Sequence, residues 1–440
     1  MNSYNSICFK FLFVLYFLLS ATHCASGQKG TDEDYFDDKT LVYNDKVYDP
    51  SIKTVITHIK GSELDPPIIP LDGTEKIILR FDDLDDNIRE MHYSFVHCTW
   101  DWKESDLQLM DYQQGFNTDI ITDYEFSFNT VTKYTNYYLE FPNRNIQLTR
   151  SGNYLIKVFA NGNPEDLILT ARFMIVEPKS FIEATVRPSS VVSERTYKQE
   201  VDVNVSLGSI QTTNPYRDIE LVVMQNLRKD NMITGVKPNF IKNMNLTYNY
   251  QGELTFDGGN EFRFIDAKSI RYRSEEVDEV RLEEDRYHIY LAPDAGKAFK
   301  KYTFENDING KFLVKNDDMI DPHLESDYVT LHFMFPVDAI LGNGDLYVTG
   351  QFSNWDLKRS HRMKFNPDNL SYELALPVKQ GYYNYAYIWK YKKGNKGISD
   401  LTDGNHSEAE NDYLILVYFK DSSAFGDRLI GVERINTLNP

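Results

Sequence analysis

The side chains able to do chemistry are scattered along the chain. Nine histidines stand singly, and His58, His97, His288 and His332 fall in strand-like runs, where a lone imidazole is ordinarily a satisfied core or surface residue. Asp82-Asp-Leu-Asp-Asp86-Asn87 gathers oxygen ligands of the kind a hard cation takes. It lacks glycine at the sixth position and glutamate at the twelfth, so a solvated turn is expected. The 66 acidic residues offer many carboxylate pairs, but glycoside hydrolysis needs two acids at a set separation in a cleft, and abundance says nothing about that. P-loop, HExxH, GxSxG and CxxC signatures are all absent from the sequence. The expectation is a protein with no catalytic residues, no metal ligands and no cofactor.

Cysteine and tryptophan complete the inventory. Cys8 and Cys24 lie in an apolar leader, which leaves Cys98 alone in the remainder and rules out an internal disulfide there. Disulfide-free export points to a bacterial periplasm. Alternation in 93–102 groups Cys98 with Val96 and Trp100, and a buried inert thiol is expected. Trp100 and Trp102 share a strand face by the same alternation, and core packing is the expected role for both.

The elements that would position such groups read as strands. In 345–392, Leu346, Val348 and Gly350 alternate with Tyr347 and Thr349, and Gly350-Gln-Phe-Ser-Asn-Trp355 turns the chain. A second run covers 372–377. A third, 382–392, puts Tyr383, Tyr385, Tyr387 and Trp389 on one face. Upstream, strands are expected over 53–59, 76–81, 89–102, 153–160 and 167–176, while 105–149, where Phe116, Tyr124, Phe126 and Phe128 follow no clean period, reads as long loops with one or two strands. A middle set covers 201–207, 219–224, 244–250, 253–256, 261–265 and 287–291, with the charge-dense 271–286 as an exposed connection. Strands 328–335, 412–419 and 428–435 are assigned to the last unit. Breaks at Glu177-Pro178 and Asp321-Pro322 then divide the chain into a leader (1–27), an N-terminal β-sandwich (28–178), a middle β domain (179–322) and a C-terminal sandwich (323–440). The fold class is all-β, three consecutive immunoglobulin-like β-sandwich units.

Composition bounds the partners. Aromatics make up 14% of 440 residues, which suits half-buried pleated faces. Lys10 ahead of the apolar run 11–19, then Ala25-Ser-Gly27, reads as a signal peptide cleaved to leave Gln28 first, with lipidation of Cys24 as the alternative. No later stretch is long and apolar enough to span a membrane. An acidic arm follows over 30–39. The formal charge of −19 becomes −20 once Lys10 leaves with the leader, which excludes nucleic acid and anionic lipid as default partners.

Two resemblances add to this reading. The GQFSNW turn followed by the GYYNYAYIW strand resembles early-set sandwich modules related to glycogen-binding domains, covering about fifty residues. That resemblance implies a turn tryptophan stacked on sugar, and makes Trp355, with Trp389 on the later strand, the candidate ligand-binding residues. Ala386 stands where those modules carry a sugar-binding lysine. The second resemblance spans nearly the whole chain beyond the leader. FDDLDDNIREMHYSFVHCTWDW (81–102), GNHSEAENDY (404–413) and DRLIGV (427–432) resemble the periplasmic plug proteins of the bacterial type IX secretion system. Membership implies a non-enzymatic protein at the inner face of the outer membrane. It would act as a monomer within a larger complex, bind the periplasmic mouth of the translocon barrel and keep it closed when no substrate is passing. It assigns no contact residues. A periplasmic carbohydrate-binding protein is the alternative that the first resemblance implies.

Overall fold

Apolar residues at every second position, broken by turn residues, give strands that bury one face, and two such faces must meet. The computed structural model describes residues 39–438 except 86, 395 and 422–425; the predicted leader, Cys24 and the acidic arm as far as residue 38 lie outside the described residues. The fold is all-β, and helix among the described residues is limited to single turns such as Leu109–Tyr112 and Pro322–Glu325.

In the first sandwich, one sheet runs Lys46–Val47, Leu167–Val176, Gly152–Ala160, Met91–Cys98, Asp119–Ile120; the other runs Ile52–Ile59, Ile77–Asp83, Thr135–Phe141, Asp123–Phe126. Tyr93, Phe95 and Phe173 meet Phe81, Tyr137 and Phe141 in its core. The expected strand 89–102 stops at Cys98, because the Trp102 N–H turns back to the Thr99 carbonyl and Trp102 takes φ 60°. Trp100 and Trp102 therefore part company. Trp100 packs toward the middle sandwich beneath the Lys420 ammonium, and Trp102 packs by Cys98 beneath the Arg172 guanidinium. Cys98 is buried, and desolvation pushes its thiol up to about 12.

The middle sandwich departs from the expected boundaries. Phe181–Pro188, Lys198–Ser206, Asn245–Tyr248 and Phe240–Lys242 form one sheet; the facing sheet is Ile219–Gln225, Asp412–Asp421 and Gly426–Asn436. The strands assigned to close the last unit thus complete the middle one, with Ile219 opposite Phe419 and Gln225 opposite Tyr413. The physical reason lies in their side chains. Leu221, Val223, Ile415 and Val417 face the middle core, while Val222, Met224, Leu414, Leu416 and Tyr418 form a second cluster with Met174, Val176 and Trp100 of the first sandwich. A sheet buried on both faces needs unbroken apolar runs, which LVVM (221–224) and YLILVYF (413–419) supply.

The third sandwich begins before the expected break at 322. Arg263–Asp266 pairs with Gly381–Tyr391, and Arg286–Leu291 lies parallel to Tyr328–Pro336. The charge-dense 271–286 is not only connection, since it holds Val277–Glu283, the edge strand of a five-stranded sheet whose outward charges blunt the edge. Tyr383, Tyr385, Tyr387 and Trp389 all face this core, as alternation requires.

Candidate protein-docking surface

The first sandwich leaves one edge uncovered. Asp119–Ile120 ends one of its sheets and Asp123–Phe126 ends the other, so the chain crosses between the two sheet edges at Ile121, which is 3% exposed and anchors the crossing. Beyond that anchor the side chains point outward. All four residues of Asp123–Phe126 are exposed, and Phe126 and Phe128 keep nearly half of their surface in water. Phe116, Ile120 and Met110, from the same connecting region, are also exposed. Tyr124 packs its ring 5.8 Å from Tyr137 and 6.4 Å from Phe126, which holds the aromatic row in place. Asp119, Asp123 and Glu125 interleave with these apolar groups.

Such an edge has two means of recognition. Among the described residues no further main-chain partner covers the outward N–H and C=O groups of Asp123–Phe126, which suits pairing with another strand, and the aromatic row offers large contact area at low side-chain entropy cost. The interleaved acids favour a partner with basic groups at the rim of the contact. From the sequence, Phe116, Tyr124, Phe126 and Phe128 were visible only as aromatics without clean period in 105–149. An exposed edge strand of four residues is too short to show alternation.

The sandwich that carries the edge is tied to the other two by buried polar contacts. Asp82 of the first sandwich accepts from Lys379 at 2.7 Å and Tyr328 at 2.6 Å of the third, and from its own neighbour Asn136 at 2.7 Å. Val131 and Thr132 donate their N–H groups to the Asp327 carboxylate at 2.8 and 2.9 Å. Burial pulls the Lys379 ammonium down while Asp82 opposes that shift, and burial raises the Tyr134 and Tyr328 phenols. The first and middle sandwiches are joined by Trp100 N–H to Asp427 at 2.9 Å and Tyr418 hydroxyl to Asn153 at 2.8 Å. Lys311 and Asp412, nearly buried, pair at 3.3 Å between the third and the middle.

The residues singled out from the sequence lie elsewhere. Trp389 is fully buried and Trp355 is 7% exposed, so neither ring presents a face on which a sugar could stack. Trp355 instead wedges between sandwiches, 5.6 Å from Phe262 of the third and 4.7 Å beneath the Arg228 guanidinium of the middle. Its turn places the positive φ on Asn354 and Trp355 themselves; Gly350 is extended, and it is needed because a Cβ there would come within 2.6 Å of the Asn384 carbonyl. The acidic run divides: Leu84 and Asp85 form a turn with Asp85 and Asn87 exposed, as expected, but its first two carboxylates belong to a strand. Asp82 and Asp83 are fully buried, the first held by Lys379 and the second by Arg89 at 2.6 Å, while residue 86 lies outside the described residues. His58 and His97 are satisfied by main-chain and serine oxygens, but His288 and His332, read as single, meet at 2.8 Å across the parallel strand pair.

Comparison with known proteins follows the same boundaries. Residues 52–177 match the family model described as type 9 secretion system plug protein 1st domain, a span that coincides with the first sandwich and contains the exposed edge. Among solved structures, a hypothetical protein from Parabacteroides merdae ATCC 43184 superposes with a TM-score of 0.86 at 32% identity, over 90% of this chain and 100% of that one. No curated protein matches the chain.

Proposed function

Because the chain belongs to the type 9 secretion system plug protein family, we propose that it docks on the periplasmic mouth of the outer-membrane translocon barrel and keeps the lumen closed while no substrate passes. The observation that carries this reading is the match over 52–177. The exposed aromatic edge at 119–128 is the surface assigned to the contact, and the three interlocked sandwiches supply the stiffness that a seal requires. The role is binding without turnover, at the inner face of the outer membrane, by one copy within a larger assembly. No helix among the described residues is long and apolar enough to cross a membrane. The carbohydrate reading loses its support with the burial of Trp355 and Trp389.

The test is copurification. Tagged full chain, drawn from gently solubilised cell envelopes, is expected to bring down a large outer-membrane barrel. Recovery of the tagged protein without any barrel would remove the proposal.

A further inference from the structure

The chain passes from the middle sandwich to the third through 258–262 and returns through 404–411, and three carboxylates gather where these crossings meet. Glu261 sits on the outward crossing, Glu410 on the return, and Asp307 on the connection ahead of the Phe312–Val314 strand. One ligand oxygen from each lies within 4.8 Å of the others. None of the three makes an ion pair among the described residues; their partners are neutral donors. Phe262 N–H and Asn309 N–H bond to Asp307 at 2.5 and 2.6 Å, Glu410 N–H bonds to Glu261 at 3.0 Å, and the Tyr302 hydroxyl also donates to Glu261. Asn309 and Asn436 donate side-chain N–H groups to Glu410.

Two further oxygens are left without partners in the same place. Glu261 is 2% exposed and its Oε2 accepts from nothing. Asn309 is 7% exposed. Its amide nitrogen holds Glu410 and its main-chain nitrogen holds Asp307, while its Oδ1 is buried without a partner beside the same carboxylates. Buried acceptors without donors are costly, and three carboxylates facing one another add repulsion to that cost, since nearby Lys297 is paired with Glu305 and not with them. A hard cation removes both penalties at once. The donors are all oxygen, their spacing suits ligands on opposite sides of one ion, and no sulfur or imidazole is present in the set to favour a softer metal.

We propose that Glu261, Asp307 and Glu410, with the Asn309 side-chain oxygen, bind one calcium ion that ties the two crossings between the middle and third sandwiches together. Calcium is favoured over magnesium because a mixed set of carboxylates and an amide on three separate segments suits irregular coordination better than a strict octahedron.

The experiment uses the full chain stripped with a chelator and then titrated with calcium chloride. Calorimetry is expected to show one site per chain, and the melting temperature to rise by about 3 °C or more at saturation. Terbium in the same site is expected to luminesce on excitation of tyrosine, through Tyr302, and to be displaced by calcium. Glu261→Gln and Glu410→Gln should lose the calcium-dependent rise, while Glu279→Gln on the exposed edge strand keeps it. The absence of both heat and melting shift in the wild-type chain up to about 5 mM calcium overturns the site, and this arm decides the matter even if the variants fail to fold. An equal response to magnesium overturns the assignment to calcium.

Discussion

Lys379 and Asp82 form an ion pair at 2.7 Å with each side chain 1% exposed, and the two residues belong to different sandwiches. The ammonium also donates to the His323 carbonyl at 2.7 Å and lies 4.1 Å from the centre of the Tyr134 ring. Two of its three N–H donors are thus bound inside the protein. Lys379→Met would leave Asp82 buried with only Tyr328 and Asn136 to stabilise its charge. The expected loss is about 3–5 kcal/mol of unfolding free energy, read by urea denaturation. A loss below about 1 kcal/mol would mean that the pair does not hold the first sandwich to the third.

Trp355→Ala tests the wedge between the middle and third sandwiches. It empties a nearly closed site between Phe262, Gly310 and Arg228, at a cost of about 3–5 kcal/mol. Titrating the wild-type chain with soluble α-glucans should leave tryptophan fluorescence unchanged. A saturable quench would restore the sugar-binding reading.

Acid lability should trace in part to His97. Burial holds this imidazole down at about 4, with its ring nitrogens 3.0 Å from the Ser105 hydroxyl and 3.2 Å from the Ser151 carbonyl. Between the ordinary value of 6.5 and 4, the unfolded chain binds a proton that the native chain does not. This contribution is therefore complete above pH 6.5 and drains as pH falls toward 4, by up to about 3 kcal/mol. Denaturation at a series of pH values should show a shallower slope in that window for His97→Gln than for the wild type.

The edge of the first sandwich should separate folding from docking. Phe126→Asp and Tyr124→Asp alter exposed side chains, so unfolding free energy should move by about 0.5 kcal/mol or less for Phe126 and somewhat more for Tyr124, which touches Tyr137. Barrel recovery in the pull-down should fall about tenfold or more. Full recovery with both substitutions in place would move the contact to another face.

The strands were legible wherever period-two alternation ran for six residues or more, as at Tyr383, Tyr385, Tyr387 and Trp389, because a sheet with one dry face admits no other pattern. Partnership between strands was not legible. Nothing local in YLILVYF tells a strand that caps a third sandwich from one that completes the second, since both demand apolar residues and the choice is made by pairing with Ile219–Gln225, far away in sequence. The same limit hid the meeting of His288 with His332, and of Glu261 with Glu410. Trp355 was visible as a turn residue, but what it touches depends on Arg228 from another sandwich. The exposed edge at 119–128 was hardest to read, because a short exposed strand obeys no burial constraint.

The final hairpin also sets a schedule. Among the described residues Ile219–Gln225 finds its one long sheet neighbour in Asp412–Asp421, so the middle sandwich has an open, largely apolar strand while the third is being made. Folding in the order of synthesis waits at that step until Asp412–Asp421 has been made, and the closure that completes it joins strands far apart in sequence. A chain cut before Asp412 should therefore keep two sandwiches able to form and one that is not, with the exposed apolar strand as a seed for aggregation. The third sandwich can be finished before the second.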